Sequence, residues 1–194
     1  HEVDRIDTIV SRLLDFARQK PVRFEQQDLR RILEHVLALI ENQARKADVS
    51  IKLSFPVGPF SVHGDDQQLH QVFLNLFLNA LDALKLAGGG TLGVTVYFCR
   101  THLGRKNFAP FMEMDCVRVV VSDTGCGIKP ENMEQLFTPF FTTKAEGCGL
   151  GLSVVHGIVT EHGGEIDVQS IPNMGTTFTV TFPLSNTEIS INSA

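Results

Sequence analysis

Val72-Phe73-Leu74-Asn75-Leu76-Phe77-Leu78-Asn79-Ala80-Leu81 places apolar side chains on nearly every side of a helical wheel, so the spacing predicts a buried helix. Two amides interrupt it, four residues apart and therefore on one face. A buried amide without a partner costs roughly 1–3 kcal/mol. Two on one face imply a polar ligand, a metal ion or an internal network. Hydrogen bonds to neighbouring backbone would also satisfy them. The ends of the helix are signalled locally. It follows Gly64, with Asp65 as cap and Gln68 three residues on completing a capping-box pattern. Gly88-Gly89-Gly90 stops it.

Working outward, Val3, Ile6, Val10, Leu13 and Ala17 form a short 3-4-3-4 seam, and Pro21 marks a boundary after it. A helix is expected over 28–47 and a strand over 50–55, with a turn at 56–59. Strands are expected over 91–99 and 117–122, with 101–115 read as a long hairpin loop between them. A helix over 149–162 ends at Gly163-Gly164. Two last strands fit 165–170 and 176–182, joined through Pro172-Asn173. Helices with mostly antiparallel strands predict an α/β two-layer sandwich, a mixed sheet packed on helices, with an N-terminal helix. The organisation expected is a helical appendage over 1–20, one domain over 21–185 and a loose tail over 186–194.

The 194 residues are 43% apolar and carry a net charge of −5. That suffices for a core and argues against disorder. An acidic chain without a basic stripe does not suit nucleic acid. Cys99, Cys116, Cys126 and Cys148 form no C-x-x-C pair, and reduced thiols in a cytoplasmic protein are expected. No run of about 18 apolar residues is present to span a bilayer. The chain starts at His1 and is read as a fragment, whose full-length protein is either anchored in the inner membrane or free of it.

Val119-Val120-Val121 reads as a buried strand delivering Asp123 to the turn Thr124-Gly125-Cys126-Gly127. The carboxylate is a pure acceptor. It suits the exocyclic amine of adenine and repels the carbonyl of guanine, and the glycines would let backbone approach a flat base. A capping Asp in a glycine turn is the plainer reading. An aspartic protease would need two such carboxylates in contact. That requires a symmetric dimer and leaves Asn75 and Asn79 unexplained.

Gly147-Cys148-Gly149-Leu150-Gly151-Leu152 opens the last helix, where free N–H groups make an anion site. It is neither a dinucleotide fingerprint nor a Walker loop, because the third glycine falls early and no Gly-Lys-Ser/Thr follows. Upstream, Leu136-Phe137-Thr138-Pro139-Phe140-Phe141-Thr142-Thr143-Lys144 supplies three phenylalanines to anchor a lid and a lysine to reach a phosphate. His156 and His162 read as structural or surface residues, His162 at a helix end. An uncharged amide oxygen such as that of Asn79 suits magnesium already bound to phosphates.

Asn75-x3-Asn79, Asp123-x-Gly125-x-Gly127, the 137–141 segment and Gly147-x-Gly149-x-Gly151 occur in this order. Together they resemble the asparagine, first glycine, phenylalanine and second glycine boxes of sensor histidine kinases. These kinases belong to the superfamily of gyrase, heat-shock chaperone and mismatch-repair ATPases. The resemblance covers roughly 28–184. Phe140-Phe141-Thr142-Thr143-Lys144 and Val154-Val155-His156-Gly157-Ile158-Val159 are similar to the nitrogen-regulation type. The stretch from Arg5 to Arg18 is similar to the end of the second helix of the dimerisation and phosphotransfer hairpin.

The resemblance implies ATP and Mg2+ as cofactors. It implies that Asn79 holds the metal, with Asn75, Asp82 and Lys144 near the phosphates. Asp123 would hold adenine, with Gly125 and Gly127 beside it. Phe137, Thr143, Gly147, Gly149, Leu150 and Gly151 would border the nucleotide. The implied reaction carries the γ-phosphoryl group to a histidine on a separate hairpin and thence to a response regulator receiver domain, in a full-length homodimer. Cys148 departs from the usual Thr. The phosphoacceptor box is missing, since Val3-Asp4-Arg5-Ile6 after His1-Glu2 lacks its Pro. Hydrolytic members use a Glu one turn before the metal-binding Asn. Here that position is Asn75, which cannot take a proton. An ATPase machine of chaperone or topoisomerase kind is the alternative.

Overall fold

A period-three-to-four stripe of Leu29, Ile32, Leu33, Val36, Leu37, Ile40 and Ala44 is buried on the first described helix, and its opposite side is exposed. The structure, a computed structural model, describes residues 22–103, 113–144 and 147–185. The helix expected over 1–20 and the tail expected over 186–194 lie outside these residues. The elements are β1 (Glu25–Asp28), α1 (Leu29–Lys46), β2 (Val49–Ser54), β3 (Ser61–Gly64), α2 (Asp66–Ala87), β4 (Gly90–His102), β5 (Glu113–Asp123), α3 (Pro130–Met133), α4 (Gly151–Glu161), β6 (Glu165–Ile171) and β7 (Gly175–Pro183).

Five strands form one sheet in the order β2-β4-β5-β7-β6, parallel between β2 and β4 and antiparallel elsewhere. Alternation decides which face is covered. Val94, Val121 and Phe178 lie in register across β4, β5 and β7, and so do Val96, Val119 and Val180. All six are buried. The helix α2 packs against these strands, flanked by α1 and α4. Phe73, Leu76, Phe77 and Leu81 of α2 are fully buried at the centre of this two-layer α/β sandwich.

Several boundaries differ from the sequence reading. Strand pairing continues through Arg100↔Asp115 to His102↔Glu113, so 101 and 115 belong to strands rather than to the loop. The short pair β1–β3 was not expected, because Glu25-Gln26-Gln27-Asp28 has no apolar alternation. α4 begins at Gly151, two residues later than expected.

The capping box at α2 is half made. The Asp65 carboxylate accepts the Gln68 backbone N–H at 3.0 Å. The reciprocal bond is missing: the Asp65 backbone N–H donates instead to Nε2 of His162 at 3.0 Å. The Gln68 side chain donates to Glu161 at 3.3 Å. His162 is buried, and its Nδ1 lies 2.8 Å from the Ile158 carbonyl, which requires the Nδ1–H tautomer. Its ring lies 4.7 Å from that of Phe24. A side chain at Gly64 would fall on this imidazole.

Burial pushes the His162 imidazole below its ordinary value of 6.5. A histidine with a depressed folded value adds stability above the unfolded value and loses it as pH falls toward the folded one. The fold is therefore expected to weaken from about pH 6.5 downward. Urea unfolding at stepped pH checks this. His162→Gln, which keeps an acceptor but does not titrate there, should flatten that part of the profile. An unchanged profile in the variant would remove His162 from the explanation.

Candidate functional site

The two amides of α2 open onto a cleft between α2, α4 and the segments 123–144 and 147–151. The cleft has a volume of about 2570 Å³ and is lined by Asn75, Asn79, Asp82, Asp123, Gly127 and Lys144 among others. This exceeds the roughly 300–1,000 Å³ of ordinary small-molecule pockets. One end reaches Asp123, and the other follows α2 back to Asp65 and Arg23.

Asp123 ends β5 and is buried at 8% exposure. Its Oδ1 accepts the Gly125 N–H at 2.8 Å. Burial pushes its carboxyl above the ordinary value of 3.8, against the pull of the Gly125 and Thr176 N–H groups. Thr176 faces it across the β5–β7 register and is buried too. The sequence reading missed Thr176, because only strand register places it there.

Gly125 is glycine for packing. A Cβ there would come within 2.7 Å of the Ala83 backbone on α2. Cys126 donates to the Ala83 carbonyl at 3.3 Å and accepts from Asn173 at 2.8 Å. The close approach that sequence reading reserved for a base is thus made at Gly125 by α2 itself. A Cβ at Gly127 would meet the Ile171 carbonyl, and Gly127 also lines the cleft.

Asn75 donates its amide to the Gly151 carbonyl at 3.4 Å, which ties α2 to the start of α4. Backbone therefore satisfies part of this amide. The start of α4 is open among the described residues: Leu150 stands at its cap and makes no side-chain cap bond. Unpaired helix-start donors lining a cleft suit an anion. Gly149 takes φ +66, a left-handed conformation that ends the preceding turn and delays the helix. Its carbonyl accepts the Phe140 N–H at 2.9 Å. Gly147, Leu150 and Thr143 line the same cleft.

The three phenylalanines do not act together. Phe137 packs against the core, with its ring 5.3 Å from that of His156. Phe141 lines the cleft. Phe140 is 64% exposed at φ +67 and anchors nothing.

Lys144 reaches back across the cleft. Its Nζ lies 2.8 Å from Asn79 Oδ1 and 2.8 Å from Asp82 Oδ2. An amide oxygen and a carboxylate already share one cation here. Hard oxygen donors of this kind fit magnesium, so the residues present are compatible with the metal the sequence implies.

The model of the histidine kinase-, DNA gyrase B- and HSP90-like ATPase family matches residues 64–186, a span that holds all four motifs. The chain belongs to this family. It is a catalytic ATP-binding domain of the histidine kinase type. It is 36% identical over 184 residues to the sensor histidine kinase ZraS of Klebsiella oxytoca, covering 95% of this chain and 37% of ZraS. It is 34% identical over 183 residues to sporulation kinase A of Bacillus subtilis, covering 94% of this chain and 28% of that kinase. It therefore spans about a third of the curated relatives it matches. The catalytic domain of histidine kinase ThkA superimposes with a TM-score of 0.67 at 30% identity, covering 83% of this chain and 95% of that one. The fold expected from the sequence is that of the family. No helix among the described residues is long and apolar enough to cross a membrane.

Proposed function

We propose that this domain transfers the γ-phosphoryl group of ATP to a ring nitrogen of a histidine on a separate hairpin, and that the group then passes to an aspartate of a receiver domain. The P–O bond to the β-phosphate breaks, an N–P bond forms, and ADP leaves. Phosphoryl transfer depends mainly on positioning and charge neutralisation. Magnesium, when bound, supplies part of that neutralisation, and Asn79 with Asp82 would hold it. Asp123 would accept the adenine amine. The open start of α4 and Lys144 would face the phosphates.

The observation that carries this reading over an ATPase machine is Asn75. It lines the cleft one turn before Asn79, and its amide is engaged with Gly151. An amide cannot deprotonate water, whereas a neutral imidazole has a lone pair and needs no strong base. The names of the relatives support the kinase reading. A receiver partner is supported by the solved complex of ThkA with the response regulator protein TrrA, to which this chain is similar at a TM-score of 0.70 and 28% identity.

The test is a labelling assay with γ-labelled ATP. The domain alone is expected to stay unlabelled and to hydrolyse ATP slowly. Acid-labile, base-stable label should appear on a separately supplied cognate hairpin only when the domain is present. Fast hydrolysis by the domain with no label on any hairpin would favour the ATPase alternative.

A further inference from the structure

Asn79 and Asp82 lie three residues apart on α2 and therefore on one face. Both give an oxygen to the ammonium of Lys144, at 2.8 Å each. The second oxygen of Asp82 lies 3.8 Å from Lys85. The pair is thus a seat for one cation, and a lysine sits in it. The ammonium and a divalent ion cannot share these two oxygens, because like charges at such separations repel strongly.

Two local hydrogen bonds turn the main chain at Lys144. Its N–H donates to Thr142 Oγ1 at 3.1 Å, and its carbonyl accepts the Gly147 N–H at 3.2 Å. Both bonds are local, and Thr142, Lys144 and Gly147 all line the cleft. From there the side chain spans to α2, while the uncapped start of α4 lines the same cleft. The side chains of Lys144 and Asp82 are 39% and 44% exposed. Solvent screens such a pair, so the ammonium is readily exchanged once another anion offers itself. A bare divalent ion brings no such anion. ATP brings three phosphates and ADP two.

We propose that Lys144 is a specificity-determining residue: in the nucleotide-free domain its ammonium fills the Asn79–Asp82 seat and turns away bare divalent cations, so that a metal gains the seat only with a nucleotide whose phosphates draw the ammonium off. This inference rests on the nucleotide-site reading above. It makes the cleft select the metal–nucleotide complex over either component. It also gives Lys144 two stations, one on α2 before loading and one on the phosphates after it.

The probe is Mn2+, with the free ion counted by electron paramagnetic resonance. Three proteins are compared without nucleotide: wild type, Lys144→Met and Lys144→Arg. Lys144→Met is expected to bind Mn2+ at least about tenfold more tightly than wild type, because a fixed positive charge has left the seat. Lys144→Arg keeps the charge and should stay within about twofold of wild type. With saturating ADP the advantage of Lys144→Met should vanish. Lys144→Met within about twofold of wild type without nucleotide would overturn the inference. Calorimetry of ADP binding to wild type is run in parallel. Failure there would strike the nucleotide-site reading, whereas the Mn2+ comparison reports on the lysine alone.

Discussion

Asn79→Ala is expected to lower phosphoryl transfer to a supplied hairpin by on the order of 10²–10³-fold, the scale seen when one charge-stabilising group leaves an active site. The fold should not suffer. Asn79 is only half-buried, and alanine is the better helix former. Among the described residues its side-chain partner is the ammonium of Lys144, and Asp82 keeps hold of that ammonium. A loss of transfer with an unchanged melting temperature would place Asn79 in the chemistry. Transfer within threefold of wild type would sink the assignment. Asn75→Glu makes the complementary case. It installs a base where hydrolytic relatives carry one, at the cost of the bond to Gly151. Its ratio of hydrolysis to transfer should rise.

The sequence showed those elements whose causes are local. α2 was readable to within a residue at both ends, because Asp65 caps its own helix and Gly88 ends it at φ +84. The second half of β5 was readable because Val119-Val120-Val121 forms an apolar run that leads to Asp123, whereas its first residues, from Glu113, read as loop. What stayed hidden depends on distant partners. β1 is four polar residues that become a strand only because Ser61–Gly64 lies alongside. The parallel pairing of β2 with β4 is set by the passage of α2 between them. Gln68 matched the capping box, yet His162, 97 residues from Asp65, takes the Asp65 N–H that the box reserves. The candidate site follows the same division. Its four motifs could be read off the chain. The reason for Gly125, which is Ala83, and the seating of Lys144 on Asn79 and Asp82 are facts of packing.

Asp123→Asn is expected to weaken ADP and ATP binding by roughly 10–100-fold, the value of about 1.5–3 kcal/mol assigned to a hydrogen bond with a charged group. The preference for adenine over guanine should fall as well, since the new amide can turn its N–H2 group toward a guanine carbonyl. Stability should move the other way. Burial raises the Asp123 carboxyl above its ordinary value, so the charged form opposes folding at neutral pH. A neutral isostere relieves that cost and can still accept the Gly125 N–H. The nucleotide-free melting temperature of the variant should therefore be equal to or above that of wild type, while its shift on adding ADP shrinks. A residue that merely capped the turn would lower the first and spare the second. The acid limb gives an independent reading. As pH falls through the raised Asp123 value, the carboxylate loses its charge and part of its acceptor capacity, and wild-type affinity should drop. Adenine also gains a proton at low pH, but it does so equally for both proteins. The wild-type to variant affinity ratio should accordingly fall toward one on acidification. A ratio that stays constant with pH would show that the Asp123 carboxylate does not hold the base.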